Sequence, residues 1–432
     1  MAGKNHVTDG QPPESDCTAT PGGTVATSTA SHRGSHSTLL RRYVPGPPRT
    51  LHAIVVPTIH AAERLLPAFK LAAALNCRVV ALCSGALRRH QAVHLARAIP
   101  GVRCIAIDLP TDYSHPLLSF RTAGNREAVV PRLIDLSLKR NLGLLLARLS
   151  GWASILFMDD DIREIHPAAV RRAISGLGRH NMVGFRVPDY PDNSVVCHAN
   201  RLAGQPQDVF VSGSALAVDC RQIDAFFPQV YNEDWLFLCE ALRRGMVTRT
   251  GRVQQVPYDP FGDPARATAE EFGDVLAEGL VNLIHDRIAL ERTDLEYWRG
   301  VLLRRGELIR RTGERLANLP TGGVSSGTAL LALQAAEQRR ASISATLLHG
   351  YVADWRRDLR SWREMMRDLR PLDSVPKALA DLGLGDAATS TDTTDRHRDR
   401  RSTVIAGAGL TVRIGPPRRV ARATRTAAVV GD

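Results

Sequence analysis

Three consecutive carboxylates, Asp159, Asp160 and Asp161, follow the apolar run ILFM at 155–158. The run has the length and composition of a buried β-strand, and the carboxyl ends of parallel strands are where open α/β sheets place ligands. Side-chain alternation in an extended strand would put Asp159 and Asp161 on one side and Asp160 on the other. Such crowded charge favours a bound Mg²⁺ or Mn²⁺ that completes its shell with phosphate oxygens. The alternative is an acidic cap for the next helix.

A second acidic pair, Glu233 and Asp234, opens the helical pattern EDWLFLCEALRR. Asn232 is predicted to cap this helix, and the macrodipole favours ionised carboxylates in its first turn. An ionised carboxylate in an active site takes the proton of an attacking hydroxyl, although charge in a first turn is also ordinary. Between the two acidic sites, Gly213 in VSGSALAV would let a substrate approach the main chain, or would simply form a hairpin turn.

The segments that must position these residues alternate between strands and helices. LHAIVVPTIH at 51–60, a helix and CRVVALCSG at 77–85 form a βαβ start, which implies a parallel sheet with right-handed crossovers. A third strand and a leucine-rich helix then lead into the acidic strand. Further strands are predicted at 180–190 and 192–202, with a strand-turn-strand at 208–219, as in a sheet that becomes antiparallel.

Four regions follow from these patterns. Residues 1–45 contain few large apolar side chains and cannot repay the entropy of ordering, so they are predicted to be a disordered leader. Residues 46–264 form the α/β domain. Residues 265–372 carry apolar positions at helical spacing, with TGGVSSGT separating two helices, and form a helical extension. Residues 373–432 are predicted to be a disordered basic tail.

Composition narrows the functional class. The net charge of +12 comes largely from arginines beyond residue 290, with no aromatic-interleaved pattern of a nucleic-acid binder, so no nucleic-acid partner is expected. The seven cysteines lack metal or redox spacing and are predicted to be buried free thiols. No signal peptide or bilayer-length apolar run is found, so we expect a cytoplasmic protein, with peripheral contact at the inner membrane surface as an option.

Taken in order, VVPT, KRNLGLLLARLSGWASILFMDDDI, VSGSALAV and NEDW resemble glycosyltransferases of the GT-A fold, most of all the family 2 group. The resemblance covers about residues 50–262. It implies an α/β fold with a Rossmann-like mixed sheet flanked by helices, here followed by a C-terminal α-helical extension. It also implies a nucleotide-sugar donor, an acceptor hydroxyl of unknown identity, and Mn²⁺ or Mg²⁺ as cofactor.

The resemblance further implies roles for single residues. Asp159 and Asp161 match the DxD metal carboxylates, with Asp161 as the direct ligand, and Asp160 lies near the ribose of the nucleotide. Asp234, with Glu233 beside it, matches the base of inverting members. The remaining implied contacts are the nucleotide base for Pro57 and Thr58, the diphosphate or nucleotide for Arg140 and Asn141, and the sugar or acceptor pocket for Gly213 and Trp235.

Two features depart from the family pattern. The second strand ends in Cys83-Ser84-Gly85, where the family often has an acidic residue that meets the nucleotide base. A third metal ligand is unassigned, and three candidates are open: His198, His285 and Asp259.

Other functions were weighed against these features. A nucleotidyltransferase would have a glycine-rich phosphate loop after the first strand, which residues 58–62 lack, and a phosphatase would not have Arg163 two places after Asp161. A non-enzymatic scaffold would use the helical region, through Trp355 and Trp362, to bind a membrane surface. Core packing or homodimerisation also explains that stripe.

Overall fold

The computed structural model describes residues 32–128, 131–188, 194–208, 211–319 and 324–392. Within these ranges the chain contains one sheet of nine strands. The strands, in chain order, are β1 (Ala53–Thr58), β2 (Arg78–Cys83), β3 (Arg103–Asp108), β4 (Ser154–Met158), β5 (Ile162–Ile165), β6 (Met182–Arg186), β7 (Ala215–Asp219), β8 (Val247–Gln255) and β9 (Ala388–Ser390).

The sheet is mixed, with strand order β5-β8-β6-β7-β4-β1-β2-β3-β9. Its centre is parallel, because β1 pairs in parallel with β2 and β4, and β2 pairs in parallel with β3. Antiparallel pairing begins at β7, which lies between β4 and β6. The predicted change from parallel to antiparallel pairing is therefore confirmed.

Helices cover both faces of the sheet and continue beyond it, so the predicted fold class and the C-terminal helical extension are confirmed. The helices of the described residues are α1 (Leu66–Leu75), α2 (Arg89–Arg97), α3 (Pro131–Leu149), α4 (Pro167–Gly176), α5 (Val195–Leu202), α6 (Glu233–Arg243), α7 (Pro264–His285), α8 (Leu295–Ala317), α9 (Val324–Ser342), α10 (Ala345–Asp368) and α11 (Val375–Asp381).

Strand β4 is buried on both faces, which explains its unbroken apolar sequence. Ile155 and Phe157 belong to the core that includes α3, α6 and α7, whereas Leu156 and Met158 belong to the opposite core with α1 and α4. The helix before it packs closely on the sheet. A Cβ at Gly143 in α3 would lie 2.8 Å from a Val55 methyl group and 3.0 Å from the Phe157 ring, so only glycine fits there without a shift.

The helical extension shares its core with the sheet. Trp355 and Trp362 of α10 are fully buried, and Phe272 and Leu276 of α7 belong to the same apolar cluster as Phe157. The tryptophan stripe is therefore core packing, and it is not available to a membrane or a partner. A homodimer through these helices stays a prediction that would have to use their outer faces.

Several boundaries differ from the sequence expectations. Residues 32–45, assigned to the leader, are described, with His36 buried and the Arg41 amide donating to the Val247 carbonyl. Residues 373–392, assigned to the tail, contain α11 and β9, and β9 pairs antiparallel with β3. The rest of both predicted segments, 1–31 and 393–432, lies outside the described residues.

The strand predicted at 192–202 is wrong, because its described part forms α5. Ser194 caps this helix by accepting a hydrogen bond from the Cys197 amide at 3.4 Å, which outweighs the β-propensity of Val195 and Val196. TGGVSSGT separates helices only in part, since α9 begins at Val324.

The cysteine prediction is confirmed for the six cysteines of the described residues. All six are free and buried, whereas Cys17 lies outside the described ranges. No helix in the described part of the chain combines the length and apolar composition that crossing a bilayer requires.

Candidate active site

The three carboxylates after β4 turn toward three different elements. Asp159 accepts two hydrogen bonds from Arg140 of α3, at 3.0 and 2.8 Å. Asp160 accepts from the Thr58 hydroxyl at the end of β1, at 2.7 Å. Asp161 accepts from the Gln255 amide at the end of β8, at 2.8 Å.

The predicted alternation of these carboxylates fails because β4 ends at Met158. The chain turns there, with the Ile162 amide donating to the Asp159 carbonyl at 3.2 Å, so the side chains no longer follow strand geometry. Asp159 consequently accepts from Arg140 of α3, whereas Asp161 accepts from Gln255 of β8.

Arg140 joins the two acidic motifs. Its guanidinium is 3% exposed and donates both to Asp159 and to Glu233 at the start of α6. Although burial alone would lower its pKa, the carboxylates of Asp159 and Glu233 raise it, so Arg140 is a permanent cation. The two motifs that sequence alone could only treat separately therefore form one charged cluster at the carboxyl end of β4.

Helix α6 begins as predicted with Glu233 and Asp234 in its first turn, but Asn232 does not cap it with its side chain. The backbone of Asn232 is left-handed, with a φ of 59°. Its side-chain amide donates instead to Asp274 of α7 at 2.9 Å. Asp234 is held by two backbone amides, that of Gly213 at 2.6 Å and that of Trp235 at 2.9 Å. Amide donors of this kind favour the ionised carboxylate and fix its direction.

Burial and the charge of Arg140 have opposite effects on the pKa values of Glu233 and Asp234. Burial raises the pKa of Glu233 and of Asp234 above the usual range of carboxyl groups, while the Arg140 guanidinium lowers both pKa values. Burial also raises the pKa of Asp159 against the same opposing charge. Three carboxyl groups whose pKa values are raised by burial therefore surround one arginine.

A second polar cluster lies at the carboxyl ends of β1 and β2. Lys139 is buried, and its ammonium group donates to the Thr58 carbonyl at 2.8 Å, the Ser84 hydroxyl at 2.7 Å and Asp135 at 2.5 Å. Asp135 also accepts from the Ser84 hydroxyl at 2.9 Å. Helix α3 thus brings a carboxylate to the end of the second strand, where the sequence shows none.

The sequence patterns did not single out Lys139, Asp135, His60 or Gln255, and they pointed to Ser84 only as part of the departure at the end of the second strand. The spacing of four between Asp135 and Lys139 on one helix was the available signal for the first two. His60 is 53% exposed in its side chain and contacts Asp160 at 2.9 Å, but nothing in the sequence pairs these residues.

Other predicted residues have different surroundings from those expected. Pro57 is buried within β1, opposite Leu82 of β2, so the exposed end of that strand is formed by Ile59 and His60. Asn141 uses both ends of its side-chain amide on the Phe227 backbone, each at 2.8 Å, and so supports the loop before α6.

Gly213 and Trp235 both lie beside the acidic pair of α6. The Gly213 amide donates to Asp234, and a Cβ at Gly213 would lie 2.8 Å from Arg140 Nη1. Trp235 is partly buried, and its ring makes a T-shaped contact with the His36 ring, with 5.1 Å between the ring centroids.

The candidates for a third metal ligand are engaged elsewhere. His198 contacts the Tyr258 hydroxyl at 3.2 Å, His285 contacts His36 at 2.9 Å, and Asp259 accepts from the Phe261 amide at 2.9 Å. Among the described residues, no three His, Cys, Asp or Glu side chains are grouped as metal ligands. The donors present are carboxylate oxygens, the type that Mg²⁺ and Mn²⁺ take when phosphate and water supply the rest of the shell.

No family model matches this chain, and no curated protein matches its sequence. Among solved structures, the chain is similar to the mannosyltransferase PcManGT from Pyrobaculum calidifontis in complex with GDP-Man and Mn²⁺. The two chains are 14% identical, the match covers 79% of this chain and 88% of that chain, and the TM-score is 0.34.

Proposed function

We propose that this chain is a metal-dependent glycosyltransferase of the family 2 type that moves a sugar from a nucleoside-diphosphate sugar to an acceptor hydroxyl with inversion. The observation that carries the proposal is the buried Arg140, which links the carboxylate after β4 to the acidic pair that opens α6. A structural acidic cap would not need a second acidic motif from a distant segment around the same guanidinium. A site that handles charge and protons would use such an arrangement.

Asp234 is the proposed base. The amides of Gly213 and Trp235 fix its two carboxylate oxygens, so it stays directed into the site when ionised. One oxygen accepts the proton of the acceptor hydroxyl while that hydroxyl oxygen bonds to the anomeric carbon. The bond from that carbon to the diphosphate oxygen breaks, and its electron pair leaves with the nucleoside diphosphate. Because attack comes from the side opposite the leaving group, the anomeric configuration inverts.

The donor is proposed to lie over the carboxyl ends of β1 and β2. There Asp160, Thr58 and His60 form one hydrogen-bonded group, and Lys139 with Asp135 and Ser84 forms the polar cluster beneath it. The first group would contact the ribose, whose hydroxyls both donate and accept. Asp135 takes the place of the acidic residue that family members often have at the end of the second strand.

Asp161 and Asp159 are the proposed ligands of Mn²⁺ or Mg²⁺. When bound, the ion would neutralise the charge that builds on the departing diphosphate. Arg140 holds Asp159 by two hydrogen bonds, which fixes the carboxylate and leaves its remaining lone pairs for a cation. The protein is proposed to act in the cytoplasm, and the acceptor is a hydroxyl compound of undetermined class.

Donor and metal should stabilise the protein only together. We expect one of UDP-, GDP- or TDP-sugars with Mn²⁺ to raise the melting temperature, because saturation at a hundred times Kd adds about 2.7 kcal/mol to the free energy of unfolding. The measurement is a thermal shift screen with parallel detection of released nucleoside diphosphate. Asp161→Asn should lose the metal-dependent part of the shift. If no nucleotide sugar stabilises the wild type with either metal, the proposed function is wrong.

Gly213→Ala should remove activity through steric displacement. An alanine Cβ would lie 2.8 Å from Arg140 Nη1 and 2.8 Å from Asp234 Cβ, so both side chains must move. Displacing a base by about 1 Å costs about a hundredfold in rate. Rates of nucleoside-diphosphate release would be compared with those of Gly124→Ala, whose added methyl group meets no atom within 4 Å. Equal rates in the two variants would contradict the position assigned to Asp234.

A further inference from the structure

A cleft rich in arginine lies beside the amino end of β4, at the opposite end of that strand from the acidic centre. It encloses about 330 Å³ between the end of α3, the turn after β7 and the last turns of α10. Asp219, which begins that turn, pairs in the sheet with Ser154 at the amino end of β4, whereas the acidic centre lies past the carboxyl end of β4. The length of β4 therefore separates the two places by roughly 13 Å.

Five guanidinium groups and one carboxylate, that of Asp224, line the cleft. The arginines come from four separate segments of the chain: Arg148, Arg221, Arg244, Arg363 and Arg367. Like charges gathered from distant segments repel one another, so their convergence costs stability unless counter-charges are present.

Four of the five arginines have a carboxylate within 4.0 Å, and in three of these pairs the carboxylate is largely buried. Arg221 binds Asp219 at 2.5 Å, Arg244 binds Asp224, and Arg363 lies 3.5 Å from Glu240. These carboxylates offset only part of the charge of the three arginines, because Asp219 also binds Arg49 and Glu240 also binds Arg243.

Arg148 and Arg367 are compensated far less. Arg148 donates weakly to the Arg367 carbonyl at 3.4 Å, and its buried Nε has no hydrogen-bond partner among the described residues. Arg367 is 73% exposed and pairs with its neighbour Asp368 at 3.4 Å, an exposed ion pair of little energetic value. Arg148 therefore has no carboxylate partner among the described residues, Arg367 has only a solvent-screened one, and both Arg148 Nε and Arg363 Nη2 are buried donors without a hydrogen-bond partner there.

We propose that this cleft is a binding site for a phosphate monoester or inorganic phosphate dianion, separate from the donor site. The unpaired Arg148 and the weakly compensated Arg367 together suit a dianion, and planar guanidinium groups bind phosphate oxygens through paired hydrogen bonds. The volume equals that of roughly ten waters at 30 Å³ each, enough for a phosphate group with part of its hydration shell. The phosphate belongs either to a soluble compound or to the headgroup of a lipid.

The test uses the full chain and inorganic phosphate, with chloride at the same ionic strength as reference. Phosphate should raise the melting temperature saturably, and Arg367→Gln should weaken the apparent affinity about tenfold because one charge-assisted hydrogen bond is lost. The Arg148→Gln/Arg367→Gln double variant should abolish the effect. Arg299→Gln removes the same charge from the exposed face of α8, outside the cleft, and should behave as wild type.

Two further arms separate the alternatives. Asp161→Asn should keep the phosphate effect, which distinguishes this cleft from the proposed donor site, and its loss there would contradict the proposal. Sedimentation with phosphatidylcholine vesicles, with and without phosphatidic acid, identifies the source. Binding that needs phosphatidic acid and both arginines indicates a lipid headgroup, and phosphate binding without vesicle binding indicates a soluble compound. The inference is overturned if neither probe binds, or if Arg367→Gln and Arg299→Gln bind phosphate equally.

Discussion

Asp234→Asn is expected to lower the rate of sugar transfer at least about a thousandfold while the protein stays folded. A positioned general base contributes roughly 10²- to 10⁴-fold to a rate, and an amide cannot accept the proton. Two effects on stability oppose each other. The asparagine keeps one acceptor for the amides of Gly213 and Trp235 and loses the other, which costs about 1 kcal/mol. It also removes a buried charge.

The effect of removing the buried charge of Asp234 depends on pH. Burial raises the folded-state pKa of Asp234 above its unfolded value, so the ionised carboxylate lowers the free energy of unfolding as pH rises above the unfolded pKa. The free energy of unfolding of Asp234→Asn, relative to that of the wild type, should therefore be highest at neutral pH and lowest at acid pH. In the wild type, kcat/KM should fall on the acid side at a pKa above the usual range of aspartate.

The measurements are initial rates of nucleoside-diphosphate release and melting temperatures from pH 5 upward. Asp368→Asn is the matched control, because its side chain is exposed and distant from the acidic centre in the chain. A transfer rate for Asp234→Asn within tenfold of this control would exclude Asp234 as the base, whatever happens to stability.

Local patterns were sufficient to predict the elements that carry the chemistry. The run at 155–158 is apolar on both faces and ends in charge, which predicts a buried interior strand, and β4 is that strand. The start of α6 could also be predicted, since Glu233 and Asp234 precede an amphipathic stretch. Both predictions rest on contacts within a few residues of the chain.

Predictions that depend on distant partners were less successful. Asn141 and Arg140 are neighbours in the sequence, yet one contacts the Phe227 backbone and the other contacts two acidic motifs. Only the packing of α3 against β4 and α6 decides this, and helical spacing does not reveal it. The directions of the Asp159, Asp160 and Asp161 side chains were missed for a similar reason, because their partners come from three distant elements, α3, β1 and β8.

Two local errors had readable signals. Ser194 before Val195 and Ser374 before the proline-containing start of α11 both cap helices, accepting from amides three residues ahead. The β-branched pair after Ser194 favoured a strand there. The polar composition after residue 385 led to the prediction of disorder from residue 373 onward. Capping residues therefore carried more information here than composition.

Arg140→Met is expected to be the most damaging single change, lowering the free energy of unfolding by about 3–5 kcal/mol and removing activity. The guanidinium is the shared partner of Asp159 and the buried Glu233, and removing one member of a buried ion cluster leaves uncompensated charge. Burial already raises the pKa of Glu233 against the opposing charge of Arg140. Without that charge the pKa rises further, so the loss of stability should be small at acid pH and grow as pH increases.

A double-mutant cycle separates charge from packing. Glu233→Gln added to Arg140→Met should restore part of the lost stability, because it removes the carboxylate that the arginine compensated, and the coupling should exceed about 1 kcal/mol. Arg305→Met is the matched control: Arg305 is buried and bridges Glu271 and Asp274 between α8 and α7. The Arg305→Met variant should be destabilised to a similar degree, yet its folded fraction should bind donor with metal normally. If the Arg140 variant melts as wild type, or if Glu233→Gln gives no recovery, Arg140 does not join the two acidic motifs energetically.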